Sequence, residues 1–141
     1  MVEINNKAGY ELDIESLRQV VFRFLKHYQK ENLEVSIALV DDEEIRNLNK
    51  VYRGKNLSTD VLSFPADKED LVDNFLGEVI INYQEITRQA QDFGQSPEKE
   101  LVFILVHGLL HLLGHQDQTQ AEREKMIQVG QDVIKRLNLS I

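Results

Sequence analysis

Leu33-Glu34-Val35-Ser36-Ile37-Ala38-Leu39-Val40 runs straight into Asp41-Asp42-Glu43-Glu44-Ile45, and this junction decides the fold. Leu33, Val35, Ile37 and Leu39 alternate with Glu34, Ser36 and Ala38, the period-two pattern of a strand. Asp41 with Glu44 three residues on reads as a capping box, so a helix opens at once, with Ile45, Leu48 and Tyr52 as its apolar face. A strand feeding directly into a capped helix is the unit from which α/β chains are built.

Working outward, the upstream sequence predicts a short strand over Val2–Asn5. A helix follows over about 13–30, on the helical spacing of Ile14, Leu17, Val20, Val21, Phe24, Leu25 and Tyr28. Downstream, Gly54 ends the Asp41 helix, and a polar loop leads into a strand over Asp60–Pro65 whose terminal proline suits a sheet edge. Ala66–Asn74, with Asp67, Lys68, Glu69, Asp70 and Asp73, reads as a solvated loop. Leu76–Asn82 is a further strand and Tyr83–Phe93 a short helix. Ser96-Pro97-Glu98 caps a helix running to about Leu113, where Gly114 is placed to stop it. Thr119 and Glu122 form a second capping box, opening a last helix on Met126, Ile127, Val133, Ile134 and Leu137.

The order β-α-β-α-β-β-α-α-α, with strands three and four as an antiparallel pair, predicts an α/β fold. It is a mixed, mostly parallel four-stranded sheet packed with helices. A doubly wound nucleotide fold is disfavoured, because no Gly-rich phosphate loop follows a strand.

The chain has 141 residues, a net charge of −8, and 42% hydrophobic against 28% charged residues. That predicts one soluble domain over 1–141 that buries roughly 68–70% of its unfolded surface. With no cysteine, disulfides, thiolate metal sites and thiol catalysis are excluded, and the composition suits a reducing cytosol. The start of the sequence lacks the pattern of a secretory signal, and the longest apolar run, Leu101–Val106, is too short to span a membrane. A cytoplasmic protein with no membrane partner is expected. The acidic balance disfavours indiscriminate nucleic-acid binding but leaves room for a local basic site.

Three of four histidines fall in His107-Gly108-Leu109-Leu110-His111-Leu112-Leu113-Gly114-His115-Gln116-Asp117. His107 and His111 lie about 40° apart on one helix face, one turn above the other, where two imidazoles can share a metal ion. Gly114 breaks the helix so that a third ligand, Asp117 or His115, can come round. The bland alternative is a pair of hydrogen-bonded histidines on an amphipathic helix, but their Leu, Ile and Val surroundings demand partners for them. The metal site is therefore expected on a helix of the C-terminal half. His27, on the first helix, reads as ordinary surface. Gly108 stands where His-Glu-x-x-His proteases carry their general base, which disfavours peptide hydrolysis. It costs about 1 kcal/mol in a helix interior, so close approach of another segment or of a substrate is expected there.

From Arg46 to Lys55 there are four basic residues and no acid. Such a run is commonly a solvated helix end, yet Arg46, Lys50 and Arg53 recur along one face, and a guanidinium suits phosphate. Tyr52 reads as core, with base stacking as the alternative. Glu78, alone in an apolar strand, is expected either at an edge or paired, and so as a support for the metal ligands.

Together these segments resemble the YbeY family of bacterial endoribonucleases, or rRNA maturation factors. The resemblance rests on Leu48-Asn49 with Tyr52-Arg53-Gly54, on Thr59 to Pro65, on Leu76 to Ile81, and on His107 to Gly114. It implies one zinc ion per chain and metal-dependent cleavage of single-stranded RNA. It further implies maturation of the 16S rRNA 3′ end, ribosome quality control, a small-ribosomal-subunit partner, and no DNA. By position it makes His107 and His111 metal ligands and Arg53 the residue tied to RNA cleavage. The family's Tyr-Asp-His after the glycine is His115-Gln116-Asp117 in this chain. Aligned without a gap, Asp117 takes the third ligand's place, leaving the ion a net +1 and making it a weaker Lewis acid. For proton transfer, a bound water, Asp60 and Glu78 all stay open. A structural zinc in an RNA-binding assembly protein is the second reading; a metalloprotease is the third.

Overall fold

A computed structural model describes residues 2–7, 9–67 and 74–139. Strands β1 (Val2–Asn6), β2 (Glu34–Val40), β3 (Val61–Pro65) and β4 (Phe75–Asn82) form one sheet in the order β1-β2-β4-β3. β1 and β4 run parallel to β2, and β3 runs antiparallel to β4. Five helices accompany it among the described residues: α1 (Ile14–His27), α2 (Asp42–Arg53), α3 (Tyr83–Asp92), α4 (Pro97–Leu112) and α5 (Gln120–Arg136). The mixed, mostly parallel sheet expected from the sequence is the one observed, and β3, with Pro65 at its end, is an edge strand. Of the expected polar loop Ala66–Asn74, residues 68–73 lie outside the described residues. Among the described residues, no helix is long and apolar enough to cross a membrane.

Alternation sorts the strands into two faces. Val35, Ile37, Leu39, Val79 and Ile81 join Phe24 of α1, Leu105 and Leu109 of α4 and Met126 of α5 in the main core. Ala38, Val40, Leu62 and Ile80 meet Ile45 of α2 in a smaller cluster on the opposite face. Helix α4 is buried nearly all round, from Leu101 to Leu112, because it lies between the sheet and the other helices. It comes unusually close to the sheet at Gly108, where a Cβ would sit 2.6 Å from Val79 Cγ1. The Ser63 hydroxyl donates to the Gly108 carbonyl at 3.0 Å across that contact. The segment that the missing side chain admits is thus the β3–β4 pair.

Two expectations are corrected. Tyr52 is 67% exposed instead of belonging to the core. The buried side of α2 ends with Ile45 and Asn49, and the ring lies instead edge to face on Phe64 of the edge strand. In α5, Ile127 is likewise exposed, the core being reached by Met126, Gly130 and Val133.

Candidate metal centre

The end of α4 builds the site by local rules. Gly114 takes a φ of +101°, its N–H bonds the His111 carbonyl, and the His115 N–H bonds the Leu110 carbonyl. This crossed pair is a Schellman stop, and the positive φ is why glycine stands there. The chain reverses and carries Asp117 back over the last turn. His107 Nε2 then lies 3.6 Å and His111 Nε2 3.1 Å from Asp117 Oδ2. One ligand atom from each of the three residues falls within 4.8 Å of the other two. His115 is absent from this cluster; its backbone carbonyl, not its ring, serves the site, 3.1 Å from His111 Nδ1.

The donor set fits a cation on hydrogen-bond grounds. His111 presents Nδ1 to one acceptor, the His115 carbonyl, and Nε2 to another, the Asp117 carboxylate. A neutral imidazole has one N–H, so only one of these contacts can be an ordinary hydrogen bond. With the proton on Nδ1, the Nε2 lone pair faces the carboxylate, and a cation between them resolves the conflict. His107 is held neutral for the same purpose. Burial first, and then the adjacent His111, push its pKa below the ordinary histidine value, against the pull of Asp117 and Asp60. The two rings meet edge to face at 4.9 Å, and Phe103 flanks His107 on the other side.

His107, His111 and Asp117 open onto a cleft of about 550 Å³. Arg53 and Lys55 line the facing side of this cleft, as do Ser58, Thr59 and Asp60. Arg53 ends α2, donates through Nη2 to the Ser63 carbonyl at 3.0 Å, and lies 5.7 Å from the Phe64 ring centre. A guanidinium so clamped presents its remaining N–H groups in a fixed direction. Arg46 and Lys50, expected to join it, are exposed but do not line the cleft. The cleft takes only Asn49 and Arg53 from α2, so Arg46 lies further up the helix and Lys50, between the two lining residues in sequence, falls on another side of it.

Glu78 is also corrected. It shares the face of Ile80, pairs with Phe64 across β4–β3, and accepts a hydrogen bond from Ser36. That face carries α2, so the sheet separates Glu78 from the histidines on α4. Asp60, in contrast, lines the cleft, holding a bond from Gln89 Nε2. His27 is exposed and outside the metal-capable cluster.

One contributor escaped the sequence reading. Asn82, fully buried, caps α3 by accepting from the N–H groups of Gln84 and Glu85. Its two amide N–H groups point at three acceptors, Asp42 at 2.6 Å and the Ser58 hydroxyl and Thr59 carbonyl at 3.2 Å each, the last two sharing a hydrogen. It thereby pins the cleft wall at Ser58–Asp60 to the start of α2. Asp42 also takes a salt bridge from Arg88 at 2.6 Å; Arg88 and Asn82 together hold its carboxyl down to about 2. The signal was present, since an Asn directly before a helix is a preferred N-cap, but the residue had been read only as a strand end.

Comparison with known proteins places this arrangement. A family model described as endoribonuclease YbeY matches residues 3–138. The chain is 37% identical over 141 residues to an endoribonuclease YbeY of Phytoplasma australiense, covering 98% of this chain and 96% of that one. It is 37% identical to the Caldanaerobacter subterraneus endoribonuclease YbeY, covering 98% of each. It also resembles a solution structure from Thermotoga maritima at a TM-score of 0.65 and 28% identity, covering 98% of this chain and 92% of that chain.

Proposed function

This chain belongs to the endoribonuclease YbeY family, and from that premise we propose that it is a zinc-dependent endoribonuclease cutting single-stranded RNA. In this reading residues 1–141 act as one unit in the cytoplasm, on ribosomal RNA of the small subunit, maturing the 16S rRNA 3′ end and serving ribosome quality control. The observation that carries the reading is that His107, His111 and Asp117 share one cleft with Arg53. Two phosphate-directed devices, a cation site and a fixed guanidinium, thus face the same space.

In the mechanism, His107, His111 and Asp117 hold the zinc. When bound, the ion supplies Lewis-acid stabilisation of the charge on a phosphoryl oxygen. Arg53, anchored on the Ser63 carbonyl, binds the phosphate and steadies the charge that develops on it in the transition state. Asp60, the other carboxylate lining the cleft, accepts the proton of the attacking oxygen as the new P–O bond forms, while the P–O bond to the departing nucleoside oxygen breaks and that oxygen takes a proton from solvent water. Gln89 fixes its orientation. Lys55 contributes positive charge at the cleft wall, retaining a polyanion on an acidic protein.

The test is cleavage of a labelled single-stranded RNA by the metal-loaded protein and its Arg53→Ala and Asp60→Asn variants. Wild-type cleavage, with losses of about 10²-fold or more in kcat in each variant, is expected. Unchanged kcat in Arg53→Ala would overturn the role given to the guanidinium. Intact RNA with the wild type would leave the structural-zinc reading, in which metal removal unfolds the chain.

A further inference from the structure

Tyr52 is 67% exposed, as are Val51 next to it at 74% and Leu57 in the following loop at 65%. The ring stands in water directly beside Arg53, which lines the cleft, and exposed apolar surface next to a charged cleft suits a ligand. Tyr52 is not free to wander. It sits edge to face on Phe64, ring centres 5.6 Å apart, and Phe64 is itself packed against the α2 cluster. The next residue, Arg53, lies on that same Phe64 ring, and Arg53 and Leu57 both line the cleft. A fixed, outward-facing aromatic ring therefore stands one residue from the guanidinium directed at phosphate. Around it, Arg46 to Lys55 carries four positive charges and no negative one, which matches a polyanion and repels a cationic partner.

We infer that Tyr52 is a nucleobase-stacking residue, positioning a base of single-stranded RNA next to the phosphate that Arg53 holds. The inference rests on the RNA-cleaving role proposed above. Stacking against one exposed ring is indifferent to base identity, because every base has a π-face. It requires an unpaired base, since a paired one has both faces covered. The ring thus supplies a preference for single strands without sequence readout.

The test compares wild type, Tyr52→Ala and Tyr52→Phe. Binding is read by fluorescence anisotropy of a labelled 2′-O-methyl single strand, and turnover on the matching RNA. Each is repeated with one abasic position walked along the strand. Tyr52→Ala is expected to weaken binding and raise KM about tenfold, within the range for losing one base–aromatic stack, with kcat within about twofold. Tyr52→Phe keeps the wild-type values, because the ring and not the hydroxyl acts. One abasic position reproduces the loss in wild type and adds nothing in Tyr52→Ala. Equal Kd in Tyr52→Ala and wild type overturns the inference, as does a loss that no abasic position reproduces. Binding without cleavage by the wild type overturns the enzymatic reading instead, and Kd still decides the stacking role. A wild type that neither binds nor cleaves overturns both. Circular dichroism controls for folding, which an exposed ring scarcely supports.

Discussion

Gly108→Ala tests how tightly the helix that carries His107 and His111 is pressed onto the sheet. The added Cβ would meet Val79 Cγ1 at 2.6 Å, and Ser63 Oγ and Val61 Cγ2 at 3.3 Å. Unstrained carbon contacts lie near 3.5–4.0 Å, so helix and strand must part by about 1 Å. Val79 cannot swing aside, being fully buried and branched at Cβ. Overpacking of this kind costs about 1–3 kcal/mol. Parting the elements also strains the buried Ser63–Gly108 hydrogen bond, worth about 1 kcal/mol. Against this, alanine is about 1 kcal/mol better than glycine within a helix. The net expectation is destabilisation of about 2 kcal/mol. The assay is urea unfolding of both proteins at one fixed metal concentration, where the midpoint should fall with an unchanged slope. A variant as stable as wild type, or more so, would refute the close approach.

Asn82→Ala removes a helix cap and both amide N–H donors that tie Ser58–Thr59 to Asp42; it should cost about 3 kcal/mol in urea unfolding and lower RNA turnover through a loosened Ser58–Asp60 wall. Glu100 is 2% exposed, and burial pushes its carboxyl above the ordinary value, with the Gln95 amide opposing and Asp60 reinforcing the shift. The folded state then holds the proton more tightly than the unfolded state, so this group's contribution falls as pH rises above the unfolded glutamate pKa. Glu100→Gln should accordingly melt higher than wild type near pH 8, with the gap closing toward pH 4.5. A gap independent of pH would contradict that assignment.

Local rules made the candidate metal site readable. One helical turn sets His107 over His111, and the glycine-terminated reversal from Leu110 to His115 is short enough to be written in the residues themselves. The strand–helix junction at Val40–Asp41 was legible for the same reason, with Asp41 accepting from the Glu44 N–H. What failed was whatever depended on which element covers which face. Parity along β4 groups Glu78 with Ile80, but only the sheet order shows that α2, not α4, lies over them. Periodicity counts Tyr52 as apolar without showing that its ring stays outside the core, on Phe64 of the edge strand. The same limit applies to Arg46 and Lys50: spacing aligns them with Arg53 but does not say which side of α2, or how much of its length, faces the cleft.

The central claim is that His107, His111 and Asp117 hold one metal ion while the His115 side chain does not. Its most direct test is metal content by mass spectrometry on purified wild type, Asp117→Ala and His115→Ala. The account predicts about one zinc per chain in wild type and in His115→Ala, whose backbone carbonyl still serves His111, and loss of the ion in Asp117→Ala. Loss in His115→Ala with retention in Asp117→Ala, or a wild type without metal, would contradict it.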